Sequence, residues 1–172
     1  HGVDLVNDVG GLGDPDMQAL AADSDAKWVV MHAVTVPADP GRRLPTDRPA
    51  VDQLESWLTA READWRSAGI DLGRIIFDPG IGFGKDSLQA LELLRATPRL
   101  REFGYPLLIG HSRKSFMNFF SPVPQPERDL ETVGASLKLC EYGVDILRVH
   151  DVESHVRAYR AWSHVAGFAE AD

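Results

Sequence analysis

The sequence predicts an α/β fold of parallel strands, and more specifically about five βα units of a (β/α)8 barrel. Three observations lead there. Apolar strand-like runs alternate with helical patterns along the 172 residues, as crossover connections require. The runs are continuously apolar, as in strands buried on both faces. Each run also ends in polar residues: Asn7 and Asp8, His32, Asp78, Ser112 with Arg113 and Lys114, and Arg148 with His150. An open doubly wound sheet would scatter those groups, whereas a barrel gathers every strand C-terminus at one mouth. A complete barrel has eight strands and roughly 250 residues. Three strands are therefore expected to be missing, and the start at His1, directly before a strand-like run, is read as loss of the N-terminal part.

The elements follow from local chemistry. Residues 2–9 read as a strand, and a helix over 15–25 starts with Asp14 as cap and Pro15 in its first turn. A second strand spans 27–34, and a loop rich in Pro, Gly and charge covers 35–49. The pattern 50–68 places Val51, Leu54, Trp57, Leu58, Arg61 and Trp65 near one helical face and stops at Gly69. A third strand over 74–80 leads to a helix over 87–97, closed by Pro98. The fourth strand, 105–112, admits Pro106 only because it stands at the very start. A helix beginning near Ser112 is interrupted by Pro122, Pro124 and Pro126. A helix over 129–142, a strand over 144–151 and a helix over 152–168 complete the chain.

Composition narrows the function. The chain is 44% hydrophobic and 26% charged, ordinary for a globular domain, so residues 1–172 are read as one partial barrel domain. No apolar run is long enough to span a membrane, and no membrane partner is expected. A single cysteine, Cys140, excludes an internal disulfide and fits a reducing, cytoplasmic setting. A net charge of −8 argues against nucleic-acid binding, although a few local cations can still dominate a cleft.

The stretch IIFDPGIGFGKDS, residues 75–87, looks like a phosphate loop and fails as one. A P-loop needs glycine where Pro79 stands and a hydroxyl where Asp86 stands. The glycine spacing, Gly80, Gly82 and Gly84, also misses the dinucleotide fingerprint. Asp78 is the better centre. A carboxylate at a buried strand end needs partners, and its two oxygens match the paired N–H groups of a guanidine-like heterocycle edge. Anion grips are expected elsewhere: Ser112, Arg113 and Lys114 at a strand-to-helix junction, and Arg148 with His150 on one side of a strand. The six histidines show no zinc spacing.

The segments LVNDVGG (5–11), VVMH (29–32), FDPGIGFGK (77–85), LLIGHSRKSF (107–116) and ILRVHDV (146–152) together resemble dihydropteroate synthase, a pterin-binding (β/α)8-barrel family of folate biosynthesis. The resemblance implies a transferase that joins p-aminobenzoate to 6-hydroxymethyl-7,8-dihydropterin pyrophosphate and releases pyrophosphate by a dissociative substitution. It implies pterin contacts at Asn7, Met31, Asp78 and Lys114, pyrophosphate contacts at Arg148 and His150, and an aminobenzoate pocket at Ser112, Phe83 and Gly82. Lys114, Arg148 and His150 would carry the catalysis. It also implies Mg2+ as cofactor, with the metal ligand in the missing N-terminal part, a homodimer through the last barrel helices, and a sulfonamide target. One departure is the segment MHAVTVPADP (31–40), where the family has MHMQGNP. The isolated chain is expected to turn over little. Two other readings stand beside this one: the pterin barrel of a corrinoid-linked methyltransferase, which needs no pyrophosphate grip, and a non-catalytic pterin-binding remnant.

Overall fold

The computed structural model describes residues 2–167. In chain order they form β1 (Leu5–Asp8), α1 (Pro15–Ala22), β2 (Lys27–Met31), α2 (Ala50–Ser67), β3 (Ile75–Asp78), α3 (Ser87–Arg95), α4 (Thr97–Arg101), β4 (Leu108–Ile109), α5 (Asp129–Glu141), β5 (Ile146–Leu147) and α6 (Val152–Ala166). All ladders are parallel. β1, β2 and β3 pair in that order, β4 pairs with β5, and a bridge from Phe77 to Leu107 joins the two sets. The alternation of strand and helix is that expected from the sequence.

The sheet curls as a barrel wall does. Neighbouring strands lie about 4.8 Å apart, so β1 and β5 of a flat sheet would be separated by roughly 19 Å. Instead Arg148, directly after β5, donates from Nη1 to Asn7 Oδ1 on β1 at 3.2 Å. One long side chain closes that gap only because the strands bend around a common interior. These are consecutive units of a (β/α)8 barrel, with β1 and β5 as outer strands of the set.

Strand parity divides the apolar residues into two layers. Trp28, Val30, Ile75, Phe77, Leu107 and Ile109 face the helices and share the main core with Leu54, Leu58 and Trp65 of α2 and with Leu93 of α3. Val29, Ile76 and Leu108 form a smaller cluster on the other, concave face, joined by Ile146. The continuous apolar runs are therefore buried on both faces in β2, β3 and β4 apart from Lys27, but not in β1, where Leu5 is 47% exposed, nor in β5, which is half-buried.

Several expected boundaries shift for physical reasons. The fourth and fifth strands shrink to two-residue ladders because side chains take over the pairing: Asp145 Oδ2 accepts from Leu107 N–H at 2.8 Å, and Ser112 Oγ accepts from His150 N–H at 3.2 Å. The helix expected after Ser112 is a 3-10 turn over Ser115–Phe119, held short by the prolines that follow. Pro98 does not simply close the helix before it; it opens α4, since its fixed φ suits a first turn. Asp14 caps α1 as expected, accepting from the N–H groups of Asp16 and Met17. The last helix ends at Ala166 with Gly167 left-handed, and the expected end at residue 168 lies outside the described residues.

Candidate functional site

Register brings the strand-end residues together. Asn7 pairs with Val29, Val29 with Ile76, and Met31 with Asp78. All five share one parity and so face the concave side. Gly110 and Arg148 continue it, two residues beyond the paired Leu108 and Ile146. At the mouth, Phe83, Gly110, Ser112, Lys114, Arg148, Val149 and His150 line a cleft of about 460 Å3. A larger groove of about 550 Å3 runs between α5 and α6, but its lining includes Leu147, Val152, Val156 and Tyr159 and gathers none of the side chains expected to grip an anion.

Asp78 is the electrostatic centre. It is 1% exposed. Its Oδ1 accepts from Gly80 N–H at 2.7 Å, and its Oδ2 faces Arg148 Nη2 at 3.4 Å. Burial raises its pKa, while the Gly80 N–H and the charges of Lys114, Arg148 and Lys85 pull it back down. Arg148 can lie across the floor because residue 110 is glycine. A Cβ there would stand 2.7 Å from Arg148 Nη2. Arg148 thus links Asn7 and Asp78 across the concave face, joining an expected pyrophosphate contact to two expected pterin contacts.

Lys114 donates from Nζ to the Ile81 carbonyl and lies 5.1 Å from the centroid of the Phe83 ring. Burial lowers its pKa to about 8; Asp78 opposes the shift and Arg148 adds to it. His150 is tied to Ser112, with Nδ1 at 2.8 Å from Ser112 Oγ. The sequence places Ser112 at a helix N-terminus with two cations set against the dipole. The structure corrects this: a five-residue 3-10 turn carries little dipole, and the Ser112 hydroxyl is turned to His150. Arg113 makes a two-pronged bond to Asp129, from Nε at 2.7 Å and Nη2 at 2.6 Å, so it braces the mouth rather than lining it.

Two further residues belong to the site although the sequence does not single them out for it. Lys85 appears there only within the segment FDPGIGFGK, and His32 only as one polar strand end among several. Lys85 is 8% exposed and its Nζ lies 2.6 Å from His32 Nδ1. The signal was present: a lysine directly after a glycine run, opposite a polar strand end. The glycines themselves are explained by close approach. A Cβ on Gly80, whose φ is +66°, would overlap the His32 carbonyl oxygen, and one on Gly84 would overlap Val34 Cβ. Met31 is fully buried beside Asp78 in the register, where the sequence places it.

Known proteins resemble this chain in sequence and fold. Residues 1–150 match the family model described as pterin binding enzyme. The folate synthesis bifunctional protein of Chlamydia caviae is 40% identical over 162 residues, 93% of this chain and 36% of that protein. Dihydropteroate synthase from Anaplasma phagocytophilum, solved with bound 6-hydroxymethylpterin-monophosphate, superposes with a TM-score of 0.88 at 37% identity, over 95% of this chain and 65% of that one. The Xanthomonas albilineans dihydropteroate synthase with 4-aminobenzoic acid gives a TM-score of 0.86 at 34% identity, over 98% of this chain and 59% of that one. The chain spans less than two thirds of each of these proteins. With its strand register, its buried Asp78 and these matches, the chain belongs to the pterin-binding enzyme family.

Proposed function

We propose that the chain carries the pterin floor and anion grips of a dihydropteroate synthase, a transferase of folate biosynthesis. The observation that carries this reading is the convergence of Asn7, Asp78 and Arg148 on one concave face, next to Lys114 and His150 at the mouth. In this reading Asp78 Oδ2 accepts from the guanidine-like edge of the pterin, while Gly80 N–H fixes Oδ1. Asn7 and Met31 complete the floor, and Lys114 reaches the ring carbonyl. Arg148 and His150 hold the pyrophosphate as the carbon–oxygen bond breaks. The aniline nitrogen of p-aminobenzoate then forms the new carbon–nitrogen bond and loses a proton, while Phe83, Gly82 and Ser112 wall its pocket. The aniline is already neutral, so orientation and leaving-group stabilisation do most of the work.

The reading extends to magnesium, which would neutralise the pyrophosphate. Among the described residues no group of three or more His, Cys, Asp or Glu side chains could hold a metal ion, so a protein-only site does not fit these residues. A cytoplasmic setting and a homodimer through the last helices belong to the same reading. Exposed Val152, Val156 and Tyr159 on α6 support the dimer. No described helix is long and apolar enough to cross a membrane.

Calorimetry of the chain with 6-hydroxymethylpterin pyrophosphate tests the proposal. Saturable binding that weakens in Asp78→Asn is expected. A folded chain with no saturable binding would overturn it.

A further inference from the structure

The loop of residues 80–85 is held down by two lysines, and one of them has a built cradle. Lys85 Nζ has three acceptors: His32 Nδ1 at 2.6 Å, the His32 carbonyl at 2.7 Å and the Phe83 carbonyl at 3.1 Å. Three acceptors match the three N–H bonds of an ammonium group, which cannot itself accept. With Lys85 charged, His32 Nδ1 presents its lone pair and the ring carries its proton on Nε2. The ring is 5% exposed and meets Trp57 edge-on, with centroids 5.1 Å apart. Burial, and then the charge of Lys85, push His32 down to about 3, which keeps it a neutral acceptor near neutral pH.

The cradle fixes more than itself. Lys85 grips the Phe83 carbonyl, while Lys114 grips the Ile81 carbonyl and lies under the Phe83 ring. The missing Cβ of Gly80 lets the loop settle on the His32 carbonyl beside Lys85 Nζ. Phe83 is thus anchored from β2 on one side and from the β4 end on the other. Arg148, by contrast, bonds to Asn7 and to Asp78, and the charge of Lys85 reaches the pterin floor through Asp78.

We infer that Lys85 and His32 are positioning residues that set the Phe83 wall and thereby the affinity for the aromatic amine more than that for the pterin. This rests on the function proposed above. The test measures binding of p-aminobenzoate, at saturating pyrophosphate, and of 6-hydroxymethylpterin pyrophosphate alone. Lys85→Met and His32→Leu should weaken p-aminobenzoate about tenfold or more, the usual consequence of stranding buried hydrogen-bonding groups. Pterin affinity should change less than about twofold in His32→Leu, and in Lys85→Met, which also removes a charge acting on Asp78, it should fall clearly less than p-aminobenzoate affinity does. His32→Asn, whose Oδ1 can stand where Nδ1 stood, should restore most of the loss. Equal losses for both ligands, or no rescue by His32→Asn, would overturn the inference. If the unmutated chain binds neither ligand, the functional reading fails, and the cradle is judged by nitrogen-15 NMR of His32. An unprotonated Nδ1 that shifts in Lys85→Met supports it, and a protonated Nδ1 overturns it.

Discussion

Acidification from pH 7 to pH 5 should destabilise this chain chiefly through two buried histidines. His32 is 5% exposed and His111 is wholly buried. Burial lowers His32 to about 3, helped by the charge of Lys85, and lowers His111 to about 4 against a bond to the Thr132 carbonyl. Their ordinary value is 6.5. A base depressed on folding contributes stability that is complete above its unfolded pKa and is lost as pH falls toward the folded one. The window is therefore 6.5 down to about 3 for His32 and down to about 4 for His111. At pH 5 the unfolded rings are almost fully charged and the folded rings neutral, so each histidine costs about 2 kcal/mol, roughly 4 kcal/mol together. Asp78 works the other way. Burial raises its pKa, so the folded chain takes up that proton first and gains stability on acidification. Lys85, lowered to about 7, changes most above that pH and adds little to this interval. Urea unfolding followed by tryptophan fluorescence reads the difference, since Trp28 and Trp65 are buried. His32→Asn with His111→Gln should flatten most of the pH dependence while keeping polar atoms at Lys85 and Ser136. An unchanged slope in that double variant would refute the reasoning.

Asp78→Asn keeps the shape but loses the charge, and should weaken pterin binding by about ten- to a hundredfold in calorimetry. It should not lower the thermal midpoint, because an uncharged group at this depth is cheaper to bury; a clear fall would show that the Arg148 contact outweighs burial. Arg148→Ala should weaken a pyrophosphate-bearing pterin far more than the bare pterin, and equal losses would argue against an anion role. Gly80→Ala forces a Cβ into the His32 carbonyl at a φ of +66°. A loss of several kcal/mol is expected from that overlap and the left-handed backbone, and a loss under about 1 kcal/mol in urea melts would contradict so close an approach of loop and strand.

Much of the fold was legible because the signals were redundant. Asp14 followed by Pro15, the apolar stripe of α2 ending at Gly69, and the apolar runs of β2 and β3 each agreed with the alternation around them. The strand ends were legible for the same reason: polar residues closing apolar runs have few places to go except a shared mouth. What escaped notice depends on distance in space. Nothing local says that Asp145 would take the N–H of Leu107, shortening β4, or that Asp129 would capture Arg113. Lys85 was hidden by its neighbours, since a lysine after glycines suggests a ligand-gripping group. Its actual partner, His32, lies 53 residues away in sequence.

The orientation of the 80–85 loop explains why it resembles a phosphate loop without being one. A phosphate loop turns free N–H groups toward an anion. Here Gly80 N–H is spent on Asp78 and Phe83 N–H on the Gly80 carbonyl, while the carbonyls of Ile81 and Phe83 point at the ammonium groups of Lys114 and Lys85. The loop therefore collects cations rather than an anion. Those cations, with Arg148, surround the single buried carboxylate of Asp78. Arg148 and Lys114, with Lys85 in its charged form, outnumber the one carboxylate and favour a locally positive concave face in a chain whose net charge is −8. Field lines from such a cleft are focused by its low-dielectric walls. Both proposed substrates, a pyrophosphate ester and a benzoate, are anions. In the proposed function, the same arrangement that buries Asp78 for the heterocycle would supply the attraction for what the heterocycle carries and for what replaces it.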